Sequence, residues 1–326
     1  MNFTTTILNW FCENSRALPW RETNDPYAIW LSEIILQQTR IEQGLPYWQR
    51  FMQRWHTIEE LAAASEDEVL REWQGLGYYS RARNLHTAAK QVVEMGGFPR
   101  TLEGIKQLKG VGDYTAAAIG SIAFNLPAAV VDGNVYRVLA RHYGIVTPIN
   151  TTEGKKEFTA LAQSLLPAKQ ASAFNQAMMD FGAIQCTPLS PNCLSCPLQE
   201  TCIAFRENKV TELPVKQKTL KIKERHLTYI YIGCNGETAI HRRTAGDIWQ
   251  GLYEPWLTDE VPSGAVLLRQ NVKHVLTHRV LYADFWLWEP DQKPELPTDY
   301  LWIKEADIDN YGVPRLIEIL LEHLNS

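Results

Sequence analysis

Four cysteines, Cys186, Cys193, Cys196 and Cys202, fall within 17 residues in the spacing Cys-x6-Cys-x2-Cys-x5-Cys. One short loop thus supplies enough thiolates to saturate either a tetrahedral zinc ion or a cubane iron-sulfur cluster. Structural zinc sites usually present two tight Cys-x2-Cys pairs, whereas here the outer cysteines stand further from the single tight pair, a spacing that favours a 4Fe-4S cluster. A disulfide framework fits poorly, because no basic-then-apolar stretch near the amino terminus marks an exported chain, and Cys12 and Cys234 lie alone.

Two carboxylates invite a different chemistry. Glu33 sits in the segment Tyr27 to Gln38, where Tyr27, Trp30, Leu31, Ile34 and Ile35 follow helical spacing and Glu33, Gln37 and Arg40 fall on the opposite face. The ordinary reading of such a glutamate is a solvated one. Asp132 ends the apolar run Ala128 to Val131 and opens Asp-Gly-Asn before another helical pattern, where an aspartate ordinarily serves as an N-cap worth ~1 kcal/mol. As a pair the two acids meet the demands of N-glycosidic cleavage, which needs one acid to protonate the departing base and one carboxylate to stabilise the oxocarbenium ion left behind.

Two glycine turns could hold nucleic acid. Leu108-Lys109-Gly110-Val111-Gly112 lies between helical patterns, and amides at the start of the helix near Asp113 can cradle a phosphate, although a plain helix-helix turn uses the same glycines. Gly75-Leu76-Gly77-Tyr78-Tyr79-Ser80-Arg81-Ala82-Arg83 adds two aromatics for stacking on bases and two arginines for phosphates.

The elements that must position these residues read as two domains, as 326 residues suggest at roughly 150 per domain. From Met1 to about residue 206 the periodicity is helical almost throughout, with the start Asp25-Pro26, the capping box Ser65 to Glu68, and stops at Gly75 and Gly97. Residues 207–225, carrying Pro214, Lys209, Lys216, Lys218, Lys221, Lys223 and Arg225, read as a basic connector. In residues 226–326 the period changes: Leu227 to Gly233 alternates, Asn235-Gly236 signals a hairpin, Thr238 to Arg242, Ala265 to Leu268 and Leu281 to Trp288 read as strands, and a helix from about Val313 to Leu324 closes the chain. The fold class is therefore multi-domain, an all-α body followed by an α+β domain. The apolar fraction of 45% supports a core in each, and the longest apolar stretch, Thr115 to Val131, is broken by Ser121, Asn125 and Pro127, so a cytoplasmic protein without membrane spans is expected. The net charge of −5 would argue against a nucleic-acid partner if it were spread evenly, since phosphate binding needs local positive charge.

Taken in order, Leu18-Pro19-Trp20-Arg21, Ser32-Glu33-Ile34-Ile35-Leu36-Gln37-Gln38-Thr39, the Gly-Leu-Gly-Tyr-Tyr turn, the glycine hairpin with Tyr114-Thr115-Ala116, Val131-Asp132-Gly133-Asn134-Val135 and the cysteine loop make the chain resemble the adenine DNA glycosylases of the MutY type. These belong to the helix-hairpin-helix superfamily that also contains endonuclease III. The resemblance implies a helix-hairpin-helix body with a 4Fe-4S loop, Glu33 as general acid toward the flipped adenine, Asp132 stabilising the sugar cation, and Tyr114 and Asn134 assisting by hydrogen bonds. It also implies Gln176 at the adenine edge, Trp20 and Arg21 among the substrate- or DNA-binding residues, Tyr78 wedged into the duplex, Gln38 and Thr39 at the partner base, and Gly110 and Gly112 on the backbone. The carboxy-terminal part resembles the family's Nudix-like lesion-reading domain, with Trp249-Gln250-Gly251-Leu252-Tyr253-Glu254 as a landmark and no glutamate-rich box for magnesium. There Leu276-Thr277-His278 stands where relatives often carry Phe-Ser-His, so Thr277 and His278 are implied to meet the lesion. The implied partner is double-stranded DNA with adenine opposite 8-oxoguanine or guanine, bound by a monomer working on the nucleoid.

Two other readings compete. An endonuclease III-like lyase acting on oxidised pyrimidines would carry a lysine at position 114, where this chain has Tyr114. A non-catalytic lesion-binding protein would lack the acid pair, and both acids are present.

Overall fold

The computed structural model describes residues 2–217, 222–276 and 278–324. In chain order it contains α1 (Phe3–Asn14), α2 (Pro26–Ile35), α3 (Ile41–Arg54), α4 (Ile58–Ala63), α5 (Glu66–Glu72), α6 (Ser80–Glu94), α7 (Leu102–Lys106) and α8 (Asp113–Phe124). There follow α9 (Gly133–Tyr143), α10 (Thr152–Leu165), α11 (Ala171–Asp180), α12 (Ile203–Arg206), seven strands and α13 (Arg315–Leu324). The chain divides into two compact units, Met1–Ala62 with Thr87–Lys218, and Ala63–His86 with Thr219–Ser326. A helical excursion of the amino-terminal half therefore belongs with the mixed-sheet part, a grouping that sequence order does not suggest. No helix of the described residues is long and apolar enough to cross a membrane.

In the first unit the helix starts are those the caps dictate. Asp25 accepts from the Tyr27 amide with Pro26 at the first helical position, and Asp132 accepts from the Val135 amide to open α9. One core gathers Ile7 and Trp10 of α1, Val138 and Leu139 of α9, Phe158 of α10, and Phe174, Met178 and Phe181, with the Trp10 and Phe181 rings edge to face at 5.0 Å. Each such side chain contributes about 1.5–3 kcal/mol by leaving water. Helix α11 runs without a break into a π-helical turn, Phe181–Gln185, which delivers Cys186 to the start of the cysteine loop.

The second unit contains β1 (Lys223–Ile232), β2 (Glu237–Arg242), β3 (Tyr253–Glu254), β4 (Trp256–Leu257), β5 (Val266–Val275), β6 (Arg279–Trp288) and β7 (Tyr300–Lys304), in sheets ordered β4-β1-β6-β5 and β3-β2-β7. Strand β1 lies parallel to β6 and is covered on both faces. Its Leu227, Tyr229 and Tyr231 pack with Leu316, Ile317 and Leu320 of α13, while Ile230 and Ile232 meet Trp256, Trp286 and Trp288. Asn235 and Gly236 both take positive φ, 54° and 76°, the geometry of the expected two-residue turn.

One strand runs longer than the sequence expectation, and the connector gains contacts. Strand β5 runs to Val275, well past Leu268, as an edge strand that among the described residues pairs only with β6, through two register shifts near Arg269, and Asn271 adopts φ 54° there. The basic connector is anchored in its described part. Leu213 is buried, the Val215 carbonyl accepts from the Ile149 amide at 3.0 Å, Asn150 and Gln217 exchange two hydrogen bonds, and β1 already begins at Lys223. Its charge is partly neutralised, Lys209 by Glu207 at 2.7 Å and Arg225 by Asp247 at 2.6 Å; Lys218 and Lys221 lie outside the described residues.

Candidate active site

A cavity of about 390 Å³ in the first unit is lined by Glu33 of α2, Tyr114 of α8, Asp132 and Asn134 at the start of α9, Gln176 of α11 and Arg21. Helix α2 is buried nearly all round: besides the expected apolar stripe, Ala28, Ile29 and Ser32 are covered. The face opposite the stripe therefore looks into the cavity and not into solvent, which overturns the ordinary reading of Glu33. Burial pushes the Glu33 carboxyl up to about 7, a hydrogen bond from the Tyr114 hydroxyl to Oε2 at 3.2 Å opposes the rise, the Asp132 charge adds to it, and the Arg21 charge pulls it back. Burial, followed by the Glu33 and Asp132 charges, holds the Tyr114 phenol well above its ordinary range, so it stays a neutral donor.

Asp132 caps α9 and is also fixed as a functional group. Oδ1 accepts from the Val135 amide at 2.7 Å and Oδ2 from Asn134 Nδ2 at 2.8 Å. Burial raises its proton affinity, and these hydrogen bonds together with the nearby Arg137 charge oppose the rise. Asn134 is held in turn, because its Oδ1 accepts from Arg137 Nη2 at 2.8 Å. The same arginine donates through Nη2 to the Gly182 carbonyl at 2.6 Å and through Nε to the Cys186 carbonyl at 2.7 Å. One turn further along α9, Arg141 donates to the Thr187 and Pro188 carbonyls at 2.7 and 2.8 Å and to Cys186 Sγ at 3.5 Å. A single helix thus carries the aspartate at its cap and grips the cysteine loop along its length.

All four cysteines of that loop line one small cavity of about 30 Å³ beside Arg141. Burial raises the Cys193, Cys196 and Cys202 thiols, and neighbouring thiolates add to the rise, so four thiolates here need compensating positive charge. Among the described residues no group of three or more His, Cys, Asp or Glu side chains is placed to hold a single metal ion.

Gly182 stands against Asn134 so closely that a Cβ would lie 2.5 Å from the Asn134 Cβ and 2.9 Å from its carbonyl oxygen. Gly182→Ala is therefore expected to destabilise the protein by about 1–3 kcal/mol and to slow catalysis by moving Asn134 off Asp132. Thermal melts and single-turnover rates check this, and a variant matching the parent in both would show that the π-helical turn yields freely.

The remaining sequence-called residues fall in several places. Trp20 is buried at the cavity wall, edge to face with Trp48 at 5.5 Å; Thr39 lines the cavity; and Gln176 Nε2 donates to Ser172 Oγ at 3.0 Å. Gln38 is exposed just beyond α2 with φ 58°, a left-handed conformation unusual for a side-chain-bearing residue. Gly110 needs glycine for its φ of 78°, whereas Gly112 is extended at φ −93° and ψ −177°, and apart from its two chain neighbours none of the described residues comes within 4 Å of where its Cβ would stand. Neither strain nor packing within the described residues explains Gly112, which leaves open space before the first amides of α8.

Tyr78 belongs to the second unit, where it is 46% exposed at φ 49° with Arg81 over its ring at 5.5 Å. Its turn lines a separate cavity of about 700 Å³ together with Trp249, His274, Leu276, His278 and Arg279. Thr277 lies outside the described residues. The Trp249 and His274 rings meet at 5.9 Å, and burial followed by the Arg315 charge lowers the proton affinity of His274.

Sequence reasoning missed Arg16, Arg137 and Asp180. Asp180 alone left a trace, as an acid inside the apolar run Ala177-Met178-Met179-Asp180-Phe181.

Residues 31–167 match the family of HhH-GPD superfamily base excision DNA repair proteins, and residues 228–323 match the NUDIX domain. The chain is 35% identical over 254 residues to the adenine DNA glycosylase of Buchnera aphidicola subsp. Schizaphis graminum, covering 77% of this chain and 73% of that one. It is 33% identical over 302 residues to the adenine DNA glycosylase of Buchnera aphidicola subsp. Baizongia pistaciae, covering 87% and 86% respectively. Among solved structures, a thermostable thymine-DNA glycosylase superposes with a TM-score of 0.58 at 33% identity, over 63% of this chain and 95% of that one. A helical glycosylase body, a Nudix-like domain after it and relatives matched across both lead to one conclusion: the chain belongs to the adenine DNA glycosylases, enzymes of base excision repair.

Proposed function

We propose that this enzyme hydrolyses the N-glycosidic bond of adenine mispaired with 8-oxoguanine, and secondarily with guanine, without cutting the strand. The observation that carries the reading is the pairing of a carboxyl pushed up to about 7, hydrogen-bonded by a neutral phenol, with an aspartate fixed by its cap, all on one cavity. Environments that treat two carboxylates differently separate an acid from a stabiliser. Glu33 donates its proton to N7 of the extruded adenine, and Asp132, oriented by Asn134, faces the positive charge that develops on the sugar. Water then completes the hydrolysis with Glu33 as base. Tyr114 occupies the position where a lysine would attack the sugar, so no Schiff base forms and the strand stays intact.

Extrusion is required because the reacting bond is inaccessible inside a stacked duplex. Tyr78, exposed and held at positive φ, is read as the wedge that enters the stack, and Gln38, likewise exposed at positive φ, as a contact to the partner base, since strain of this kind concentrates where function demands it. The open space before Gly112 suits a backbone phosphate at the α8 amides. The second-unit cavity, with Trp249, His274 and His278, is the reader of the opposite base. A duplex labelled on its adenine strand tests the whole reading: breaks revealed only by hot alkali support it, and breaks without alkali, or none at all, reject it.

The cysteine loop is read as the holder of a 4Fe-4S cluster, through Cys186, Cys193, Cys196 and Cys202. The cluster would supply the positive charge that lets four thiolates share one cavity, and it would pin the loop that α9 grips. Iron and acid-labile sulfide in equal amounts are expected in the purified protein, and Cys196→Ser is expected to lose both with a drop in melting temperature. Stoichiometric zinc instead would assign the loop to a structural zinc site.

A further inference from the structure

Asp180, the last residue of α11, is fully buried in its side chain and carries five hydrogen bonds. Oδ1 accepts from Arg16 Nε at 2.8 Å, Arg16 Nη2 at 2.5 Å and Arg21 Nη2 at 2.8 Å; Oδ2 accepts from the Arg16 amide at 3.0 Å and Arg21 Nη1 at 2.7 Å. Arg21 Nη1 also donates to the Arg16 carbonyl at 3.1 Å, and its guanidinium lies 5.6 Å from the Phe11 ring centroid. Burial alone would raise the Asp180 carboxyl, yet the hydrogen bonds from Arg21 and Arg16 outweigh it and leave the group below its ordinary value.

Arg16 and Arg21 both line the Glu33 cavity. The other charged or titratable groups on that cavity are Tyr114 from α8, Asp132 from α9, Arg40, and Glu42 from α3. An arginine beside a general acid is a hazard, because a guanidinium free to turn forms a forked pair with the carboxylate and strips the acid of its proton. One carboxylate binding both guanidiniums removes that freedom: Arg21 is held end-on by Asp180 and reaches Glu33 only through its field. We propose that Asp180 is a positioning residue that keeps Arg21 off Glu33, so that Glu33 retains the proton it donates to the departing base. The inference rests on the reading of Glu33 as general acid.

The test is the pH dependence of the single-turnover rate of adenine release on an adenine:8-oxoguanine duplex, measured on the intact enzyme. Asp180→Asn frees Arg21 to pair with Glu33, so the limb on which the rate falls with rising pH is expected to move down by about one unit, a loss of about tenfold on that limb. Adding Arg21→Met to that variant is expected to return the limb to the parent value or above it. A second pair leaves the buried aspartate intact. Arg21→Lys, whose point charge cannot fork onto Asp180, is expected to lower the limb, and Arg21→Met to raise it. Opposite shifts from this pair support the assignment even if Asp180→Asn does not fold. The assignment is overturned if a folded Asp180→Asn keeps the parent limb, or if Arg21→Lys and Arg21→Met move it the same way. Absence of adenine release from the parent would instead overturn the reading of Glu33 on which the inference stands.

Discussion

Glu33→Gln is expected to slow adenine release in single turnover by about two to four powers of ten at neutral pH while binding of the mispaired duplex stays close to the parent level. Glutamine keeps the shape and can still accept from Tyr114, but it has no proton to give. The parent rate should itself fall as pH rises through about 7, because the carboxyl held near that value must be protonated to act. Glu33→Gln should lose this limb along with the rate. A variant that retained the limb would transfer the acid role to another group. The same substitution has a stability signature of opposite sign to its kinetic one. The folded-state value of about 7 lies above the ordinary 4.5, so the folded chain holds this proton more tightly than the unfolded chain. That contribution is complete below about 4.5 and disappears as pH rises through about 7, where the buried site must accept a charge. Glu33→Gln should therefore melt above the parent at pH 8, and the gap should close as the pH is lowered.

Asp132→Asn is the second large effect, expected at about a hundred- to a thousandfold in single-turnover rate, the scale of losing one preorganised electrostatic partner of a developing charge. Asparagine caps helices as well as aspartate does, so the bond from the Val135 amide and the start of α9 should survive with little change in melting temperature. What disappears is the negative charge facing the sugar. A fall in rate accompanied by collapse of the melt would place Asp132 in the fold alone, as the cap that the ordinary reading makes of it.

These two carboxylates show how far the chain could be read unaided. Asp132 is the N-cap that local pattern indicates, and its second task becomes visible only through Asn134 and Arg137, which orient it. Glu33 misleads on periodicity alone: an acid opposite an apolar stripe normally faces water, and here it faces a cavity because α8 packs on α2 and Tyr114 closes over the carboxyl. Strand β5 was half hidden for the converse reason. Along this edge strand only Leu268 and Val272 pack against the core, and the polar Arg269, Gln270, Asn271 and Lys273, where the register shifts fall, break the apolar alternation. Lysines dominate the composition of the connector, and only the folded chain shows that Leu213 and the Val215 carbonyl tie it to the first unit.

Local chemistry determined from sequence alone what depends on neighbours along the chain: the helix starts at Asp25, Ser65 and Asp132, the Asn235-Gly236 turn, the clustering of four cysteines in one loop and the change from helical to strand period near residue 226. Tertiary structure decided what depends on partners distant in sequence. It buried Glu33 and so raised its proton affinity, brought Asp180 across 159 residues to bind Arg21, and grouped the Tyr78 turn with the carboxy-terminal unit. The division follows from the range of the forces involved. Capping and turn geometry act over a few residues, while desolvation and the pairing of buried charges exist only once the chain has excluded water from a particular place.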